Sequence, residues 1–231
     1  MNRVQITVVL SLAVTGCVSM GVPSTASYTP PETTIIENEI NVAADSGEVW
    51  DILVEQLAKT FYVINNIDKE SRLLNVSYAE SNQPSLYVDC GESDRTYEFR
   101  GDITRYNYKT ADSSAYKFHN GMVADTFFGY YQRKTDLDGR ANIYVAPNAD
   151  GGTTVTVNTR YIWSVNLRYT EMFTNDGVSM FQRAGFQPVD DASQVSFNTG
   201  KVGMEATLEG GDGITCVATG KFEDGILDIL R

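Results

Sequence analysis

Residues 45–58 read DSGEVWDILVEQLA, and this stretch carries the clearest secondary-structure signal in the chain. Asp45 followed three residues later by Glu48 is typical of a helix N-cap with its capping-box partner. After this cap, apolar residues recur at helical spacing, namely Trp50, Leu53, Val54, Leu57 and Ala58. We therefore predict a helix that buries one broad face against a sheet, with Trp50 as a core anchor.

A hairpin of two strands is predicted to follow this helix. Residues 61–67 and 72–78 are rich in strand-forming side chains and flank a turn at 68–71. On the second strand the alternating residues Leu74, Val76 and Tyr78 are expected to point into the core.

A second hairpin is predicted further along the chain. Residues 141–146 and 153–165 flank a turn that contains Asp150 and Gly151, a common reversal signal. The longer arm alternates strictly, with Val155, Val157, Tyr161, Trp163 and Val165 on one side. A short helix that contains Phe222, Ile226, Ile229 and Leu230 is predicted to close the chain.

The predicted fold class is therefore α+β, with a helix packed on an antiparallel β-sheet and an additional β-hairpin-rich part. We assign residues 1–16 to a signal peptide, 17–34 to a flexible Ser/Thr/Pro tether and 35–231 to the folded domain. A division of that domain into two subdomains, 35–109 and 136–231, is the alternative.

The composition is that of an acidic globular protein. With 42% hydrophobic and 21% charged residues, the chain has enough apolar surface to bury a core. Its 18 basic and 30 acidic residues give a formal net charge of −12, which repels phosphate backbones. Nucleic acid is therefore excluded as a predicted partner.

The N-terminus has the pattern of an export signal. Arg3 precedes the apolar segment 4–14, which at about 1.5 Å per residue is too short to cross a hydrocarbon core roughly 30 Å thick. The segment ends in Val14-Thr15-Gly16-Cys17, which resembles the lipobox of bacterial lipoproteins. The resemblance implies cleavage before Cys17 and attachment of lipid to it, whereas the alternative is an ordinary signal peptide with a chance cysteine.

The residue after Cys17 bears on the location of such a lipoprotein. In Gram-negative lipoproteins an aspartate at that position usually retains the protein in the inner membrane, and this chain has Val18. The resemblance therefore implies an outer-membrane lipoprotein that faces the periplasm. A Gram-positive source would place the protein on the outer face of its single membrane.

Cys90 and Cys216 remain once Cys17 is assigned to lipid. Because an exported protein matures where thiols are oxidised, we predict a disulfide between these two residues. The alternatives are two separate buried thiols or a metal site, and the single histidine, His119, makes the metal site the weaker alternative.

The sequence contains no recognisable motif for catalysis, metal binding or cofactor binding. Ser-His-Asp and Cys-His schemes would all depend on His119, which lies in an irregular segment. Residues 136–139 read DLDG, which matches half of a calcium loop but lacks its terminal glutamate. We therefore predict no catalytic residue, no metal and no cofactor.

Aromatic residues accumulate where the apolar periodicity fails, between residues 109 and 134. The candidate interaction residues are Tyr116, Phe118, Phe127, Phe128, Tyr130 and Tyr131. Such side chains supply large contact area at low entropic cost and are typical of recognition surfaces. The alternative, equally supported by the sequence, is that they fill a second core.

Four segments near the N-terminal end of the domain resemble the repeated domain of BamC-like outer-membrane lipoproteins. They are EVWDILVEQL at 48–57, FYVI at 61–64, IDKES at 67–71 and LLNVSY at 73–78. The similarity covers residues 36–90 and implies a helix on an antiparallel sheet. It also implies a tethered accessory subunit of a β-barrel assembly complex.

These observations predict a membrane-anchored envelope lipoprotein that is not an enzyme. Its expected role is that of a structural or protein-interaction subunit of a cell-envelope complex, with an envelope protein as partner. One alternative is a carbohydrate- or peptidoglycan-binding module. The other is a carboxylate-dependent envelope enzyme, which would need a pocket that gathers two acidic side chains among aromatic residues.

Overall fold

Most of the chain folds into antiparallel β-sheet. The computed structural model describes residues 24–99, 102–118, 127–175, 178–180, 189–205 and 213–231. Strands make up 58% of the structure and helices 15%, so the predicted α+β class is wrong and the fold is β-rich. Much of the strand that the sequence did not predict lies in the described parts of 109–134 and 166–191.

Several predictions concern residues outside these ranges. The signal peptide, Cys17 and His119 are not among the described residues, and neither are the side chains of Phe127 and Phe128. Within the described ranges, no helix has the length and hydropathy that a membrane crossing requires.

Two helices and fourteen strands are formed by the described residues. The helices are α1 (Ser46–Leu57) and α2 (Lys221–Leu227). The strands are β1 (Thr25–Thr29), β2 (Glu39–Val42), β3 (Val63–Asp68), β4 (Leu73–Glu80), β5 (Val88–Asp89), β6 (Glu92–Phe99), β7 (Asp102–Lys109), β8 (Ser114–Phe118), β9 (Phe127–Pro147), β10 (Thr153–Asn175), β11 (Val178–Met180), β12 (Val189–Asn198), β13 (Gly203–Glu205) and β14 (Ile214–Ala218).

The long hairpin of β9 and β10 organises the largest sheet. These strands pair continuously from Pro147 opposite Thr153 to Phe127 opposite Phe173. The strand order is β11-β10-β9-β4-β3, with β2 and β12 also paired to β10 and β8 paired to β9. Strands from both predicted subdomains, 35–109 and 136–231, therefore belong to one sheet.

One face of this sheet forms the hydrophobic core. The alternating residues predicted on β10 are each at most 1% exposed: Val155, Val157, Tyr161, Trp163 and Val165. The predicted helix is confirmed as α1, whose N-cap Asp45 accepts a hydrogen bond from the Gly47 amide and whose Trp50 is buried. Phe222 and Ile226 of α2 are fully buried in the same core.

Tyr78 and Gly139 show how β4 and β9 fit together. They are directly opposite one another across the strand pair. A β-carbon added at Gly139 would lie 2.0 Å from the Tyr78 Cε1 atom, so the tyrosine ring occupies the space that a side chain at position 139 would need. The ring thereby covers the glycine from the core side, as aromatic residues do for strand glycines.

Part of the predicted flexible tether is ordered, which corrects the prediction for those residues. β1 pairs antiparallel with β6, from Thr25 opposite Thr96 to Thr29 opposite Glu92. The Tyr28 hydroxyl also donates to the Thr215 carbonyl at 3.1 Å and accepts from the Thr215 amide at 2.9 Å. Backbone pairing and one anchored tyrosine order this segment without an apolar face, which is why hydrophobic periodicity does not reveal it.

Cys90 and Cys216 form a disulfide bond, as the sequence predicts. Cys216 lies in β14, and Cys90 directly follows β5, the strand that pairs with β14. Both cysteines are fully buried. The bond therefore joins the C-terminal part of the chain to the segment between the two hairpins.

Candidate functional site

Tyr116, one of the candidate interaction residues, is a core residue. It is 1% exposed, and its ring stacks between Tyr108 and Tyr131 at centroid distances of 5.9 and 5.2 Å. The Arg95 guanidinium carbon lies 4.5 Å from the Tyr116 ring centroid, within the range of a cation–π contact. Burial raises the pKa of Tyr116, and the charge of Arg95 opposes this effect.

The other aromatic candidates lie around this buried ring. Phe118 is half-buried and meets Tyr131 edge-on at 6.4 Å between centroids. Tyr130 packs against Tyr97, whose pKa burial raises to about 12. Phe127 and Phe128 belong to β9. The structure thus assembles part of the predicted set into a packed cluster, with Phe118, Tyr130 and Tyr131 at its partly exposed rim.

Arg133 is a buried charge beneath this cluster that the sequence analysis does not identify. It is 4% exposed and donates to the Thr110 carbonyl at 3.0 Å, the Asp112 carbonyl at 3.2 Å and the Ser114 hydroxyl at 3.3 Å. Burial lowers the pKa of Arg133, whereas Tyr108 and other neighbours oppose the shift. Its contacts hold the loop between β7 and β8 against β9.

A surface groove of about 470 Å³ lies where the segment before β3, the turn at Pro84–Leu86 and α2 meet. Its aromatic side comprises Phe61, Tyr62 and Tyr87, and its acidic side comprises Asp224 and Asp228. Burial raises the pKa of Tyr62 to about 12. This groove combines two carboxylates with aromatic rings, which is the arrangement required by the predicted enzyme alternative.

The two carboxylates of the groove share one cation. The Arg231 guanidinium lies 2.8 Å from Asp228 and 3.5 Å from Asp224, measured between nitrogen and carboxylate oxygen. The hydrogen bond to Asp228 is the main reason that the pKa of Arg231 is raised. Both carboxylates thus engage the same guanidinium.

Glu223 is a fully buried carboxylate next to this groove. Its two oxygens accept hydrogen bonds of 2.6 Å from the Tyr161 and Thr199 hydroxyls. Burial and the nearby carboxylate both raise the pKa of Tyr161. Glu223 therefore links α2 to β10 and to the turn after β12, and neither oxygen faces solvent.

The β3 strand presents the other conspicuous surface feature. Within the described residues it pairs only with β4 and forms one end of the largest sheet. Phe61, Val63 and Ile67 are 67%, 58% and 48% exposed. An open strand edge is thus bordered by exposed apolar side chains.

Comparison with protein-family models, curated proteins and solved structures finds no match for this chain. The resemblance of residues 36–90 to BamC-like lipoproteins therefore stays a prediction. Among the residues whose positions the structure describes, no three His, Cys, Asp or Glu side chains are grouped in a way that could hold a metal ion.

Proposed function

We propose that this chain is a lipid-anchored envelope lipoprotein whose folded part is a non-enzymatic subunit that binds a partner protein at the β3 edge. The observation that supports this proposal most directly is the combination of an unpaired strand edge with exposed apolar side chains. The ion pairs in the groove support the non-enzymatic role. The N-terminal sequence pattern supports the lipid anchor.

The β3 edge has the properties of a strand-addition site. Edge strands carry unpaired backbone N–H and C=O groups, and proteins commonly protect them with lysine or proline. β3 reads VINNID and contains neither residue type, and its pairing with β4 has a single irregularity, between Ile64 and Asn66. A partner strand can therefore form backbone hydrogen bonds with β3 while its side chains contact Phe61, Val63 and Ile67.

The ion pairs in the groove support a non-enzymatic role. A carboxylate pair that catalyses glycoside hydrolysis needs one acid that can hold a proton and one that is ionised. Asp224 and Asp228 instead share Arg231. The buried Glu223 engages both of its oxygens within the protein.

Replacement of the proposed lipidated cysteine tests the anchor. Cys17→Ser is expected to remove the acyl chains from the N-terminal peptide and to leave the apolar leader uncleaved. Mass spectrometry of the N-terminal peptide measures both effects, with Ser19→Ala as the control. Normal cleavage of Cys17→Ser, or an unmodified chain that begins at position 17 without acyl chains, would refute the anchor.

A photo-crosslinking amino acid at Val63 or Ile67 tests the binding edge in intact cells. We expect it to capture one defined envelope protein. Val63→Lys should reduce co-purification of that protein about tenfold, because a charge replaces an apolar contact at the centre of the interface. Ile103 is a matched control, since it is 59% exposed but lies on β7. Equal capture from position 103, or full recovery of the partner with Val63→Lys, would contradict the proposal.

A further inference from the structure

Two arginines face each other on the solvent side of the largest sheet. Arg140 of β9 and Arg160 of β10 are directly opposite in the strand register, and both are exposed. Like charges in this position destabilise a sheet. The chain as a whole has only 18 basic residues against 30 acidic ones, so this pairing is not a consequence of a generally basic surface.

The hydrogen-bond donors of this arginine pair are largely unused. Across the described part of the chain, the Arg140 guanidinium has no hydrogen-bond or ion-pair partner, and Asp138 on the same strand does not form an ion pair with it. Arg160 donates from Nε to the Ser196 hydroxyl at 3.2 Å. The remaining N–H groups are available to a ligand that supplies acceptor oxygens.

A row of asparagine amides crosses the sheet next to the arginines. Asn65 donates to Asn75 at 3.1 Å, and Asn75 donates to Asn142 at 2.7 Å. From the other side, Asn38 donates to the Asn158 side-chain oxygen at 3.1 Å. Asn142 and Asn158 are direct cross-strand partners, so the two series of side-chain hydrogen bonds meet at this pair.

The direction of these hydrogen bonds determines what the row can bind. In Asn142 and Asn158 the side-chain oxygen accepts a bond from a neighbouring amide. Among the residues described, neither of their NH₂ groups has a partner. Two adjacent NH₂ groups thus lie beside the two guanidinium groups, and together they form a surface that donates hydrogen bonds and requires acceptors.

An aromatic ring and a shallow depression border this donor surface. Tyr144 lies two residues beyond Asn142 on the same face of β9 and is 43% exposed. On the other side, a depression of about 160 Å³ is lined by Val63, Ser77, Asp138 and Arg140, among others. Along β9, the outward residues are therefore an arginine, an amide and an aromatic ring in succession.

We propose that this face binds a polysaccharide that carries carboxylate groups. The carboxylates pair with Arg140 and Arg160, because a guanidinium matches the planar geometry of a carboxylate. The amides of Asn142 and Asn158 donate to sugar oxygens, and the apolar face of Tyr144 packs against a sugar ring. Neighbouring strands are about 4.8 Å apart, so the donors on successive strands are spaced to meet successive groups of an extended polymer.

A polysaccharide fits this face better than an acidic peptide does. The face is the middle of a sheet, where the backbone groups are already paired with neighbouring strands and cannot add a peptide strand. Its free donors are instead side chains on two neighbouring strands, β9 and β10, which suits a ligand that carries several oxygen atoms along its length. The proposal does not depend on the β3 edge, because its arginines and central amides lie on β9 and β10.

Affinity electrophoresis of the full chain in detergent tests the proposal. We expect migration to be retarded by polygalacturonate but not by neutral dextran, with retardation that weakens as salt is added. The double variant Arg140→Gln/Arg160→Gln should bind polygalacturonate at least about tenfold more weakly, since it loses both charge-assisted contacts. Tyr144→Ala should weaken binding several-fold without changing its dependence on salt.

The control variant removes the same amount of charge elsewhere. Arg105→Gln/Lys109→Gln changes two exposed basic residues of β7, outside the largest sheet, and should bind like the unmodified chain. Equal weakening in both double variants would overturn the proposal, as would the absence of binding to polygalacturonate. Equally tight binding to dextran sulfate would also overturn it, because such a surface would recognise any polyanion. All substituted positions are exposed, so far-ultraviolet circular dichroism, which reports the backbone fold, should be unchanged.

Discussion

Replacement of Cys90 and Cys216 by alanine is expected to lower the free energy of unfolding by about 5 kcal/mol. The disulfide joins residues 126 positions apart. Its loss allows the unfolded chain to explore many more conformations, and the cost increases with the length of the loop that the bond closes. An effect of this size is comparable with the whole stability of many domains.

The local structure around the bond cannot replace its contribution. β5 and β14 pair at only two positions, Asp89 opposite Val217 and Val88 opposite Ala218. The hydrogen bond from the Thr219 amide to the Tyr87 carbonyl, at 2.9 Å, extends this contact by one residue.

Denaturant unfolding of three samples measures this effect: the oxidised chain, the chain with reductant, and the double alanine variant. The reduced chain and the variant should unfold at similarly low denaturant concentrations. The change in the free energy of unfolding is calculated as the difference between the midpoint denaturant concentrations multiplied by a slope common to the samples. If reductant left the midpoint of the unmodified chain unchanged while the free thiols became reactive, the proposed stabilisation would be wrong.

The elements that the sequence predicts well are those whose inward positions are apolar. Helix α1 and the part of the β9–β10 hairpin next to its turn each bury a row of mostly apolar side chains. Val155 and Trp163 of this hairpin are fully buried, as predicted. The spacing of apolar residues in such a row indicates directly whether the segment is a helix or a strand. The disulfide was also predictable, because export and an even pair of cysteines suffice.

The part of β9 that precedes residue 141 was not predicted, because its inward residues are not regularly apolar. Arg133, Thr135 and Gly139 are all buried, and they occupy alternate positions of the strand. A hydrophobicity pattern therefore shows no period of two there, although the backbone has one. The resulting underestimate of strand content led to the incorrect α+β class.

The carboxylate-binding face could not be predicted for a different reason. Asn75 and Asn142 are far apart in sequence, and Arg140 and Arg160 become neighbours only through the strand register. Each of these residues taken alone is an ordinary polar residue on a strand. Pairing of strands determines which side chains share a row, and that information is not contained in local periodicity.

Replacement of Arg133 by methionine is expected to lower the free energy of unfolding by about 1 to 3 kcal/mol. Methionine fills much of the same volume but donates no hydrogen bond, so the Thr110 and Asp112 carbonyls lose the bonds that Arg133 supplies. A buried acceptor without a partner costs its full desolvation energy. The contact of the guanidinium with the Tyr108 ring, 5.2 Å from its centroid, is lost as well.

Arg133→Lys distinguishes the hydrogen-bond geometry from the charge. Lysine keeps the positive charge, but its single ammonium cannot reproduce the planar fork that spans two carbonyls and the Ser114 hydroxyl. We therefore expect Arg133→Lys to unfold between the unmodified chain and Arg133→Met in denaturant titrations. The exposed Arg105→Met should change stability by no more than about 0.5 kcal/mol. Equal stability of Arg133→Met and Arg105→Met would contradict this prediction. The buried guanidinium would then have no role in holding the loop between β7 and β8, and ring packing alone would stabilise the aromatic cluster.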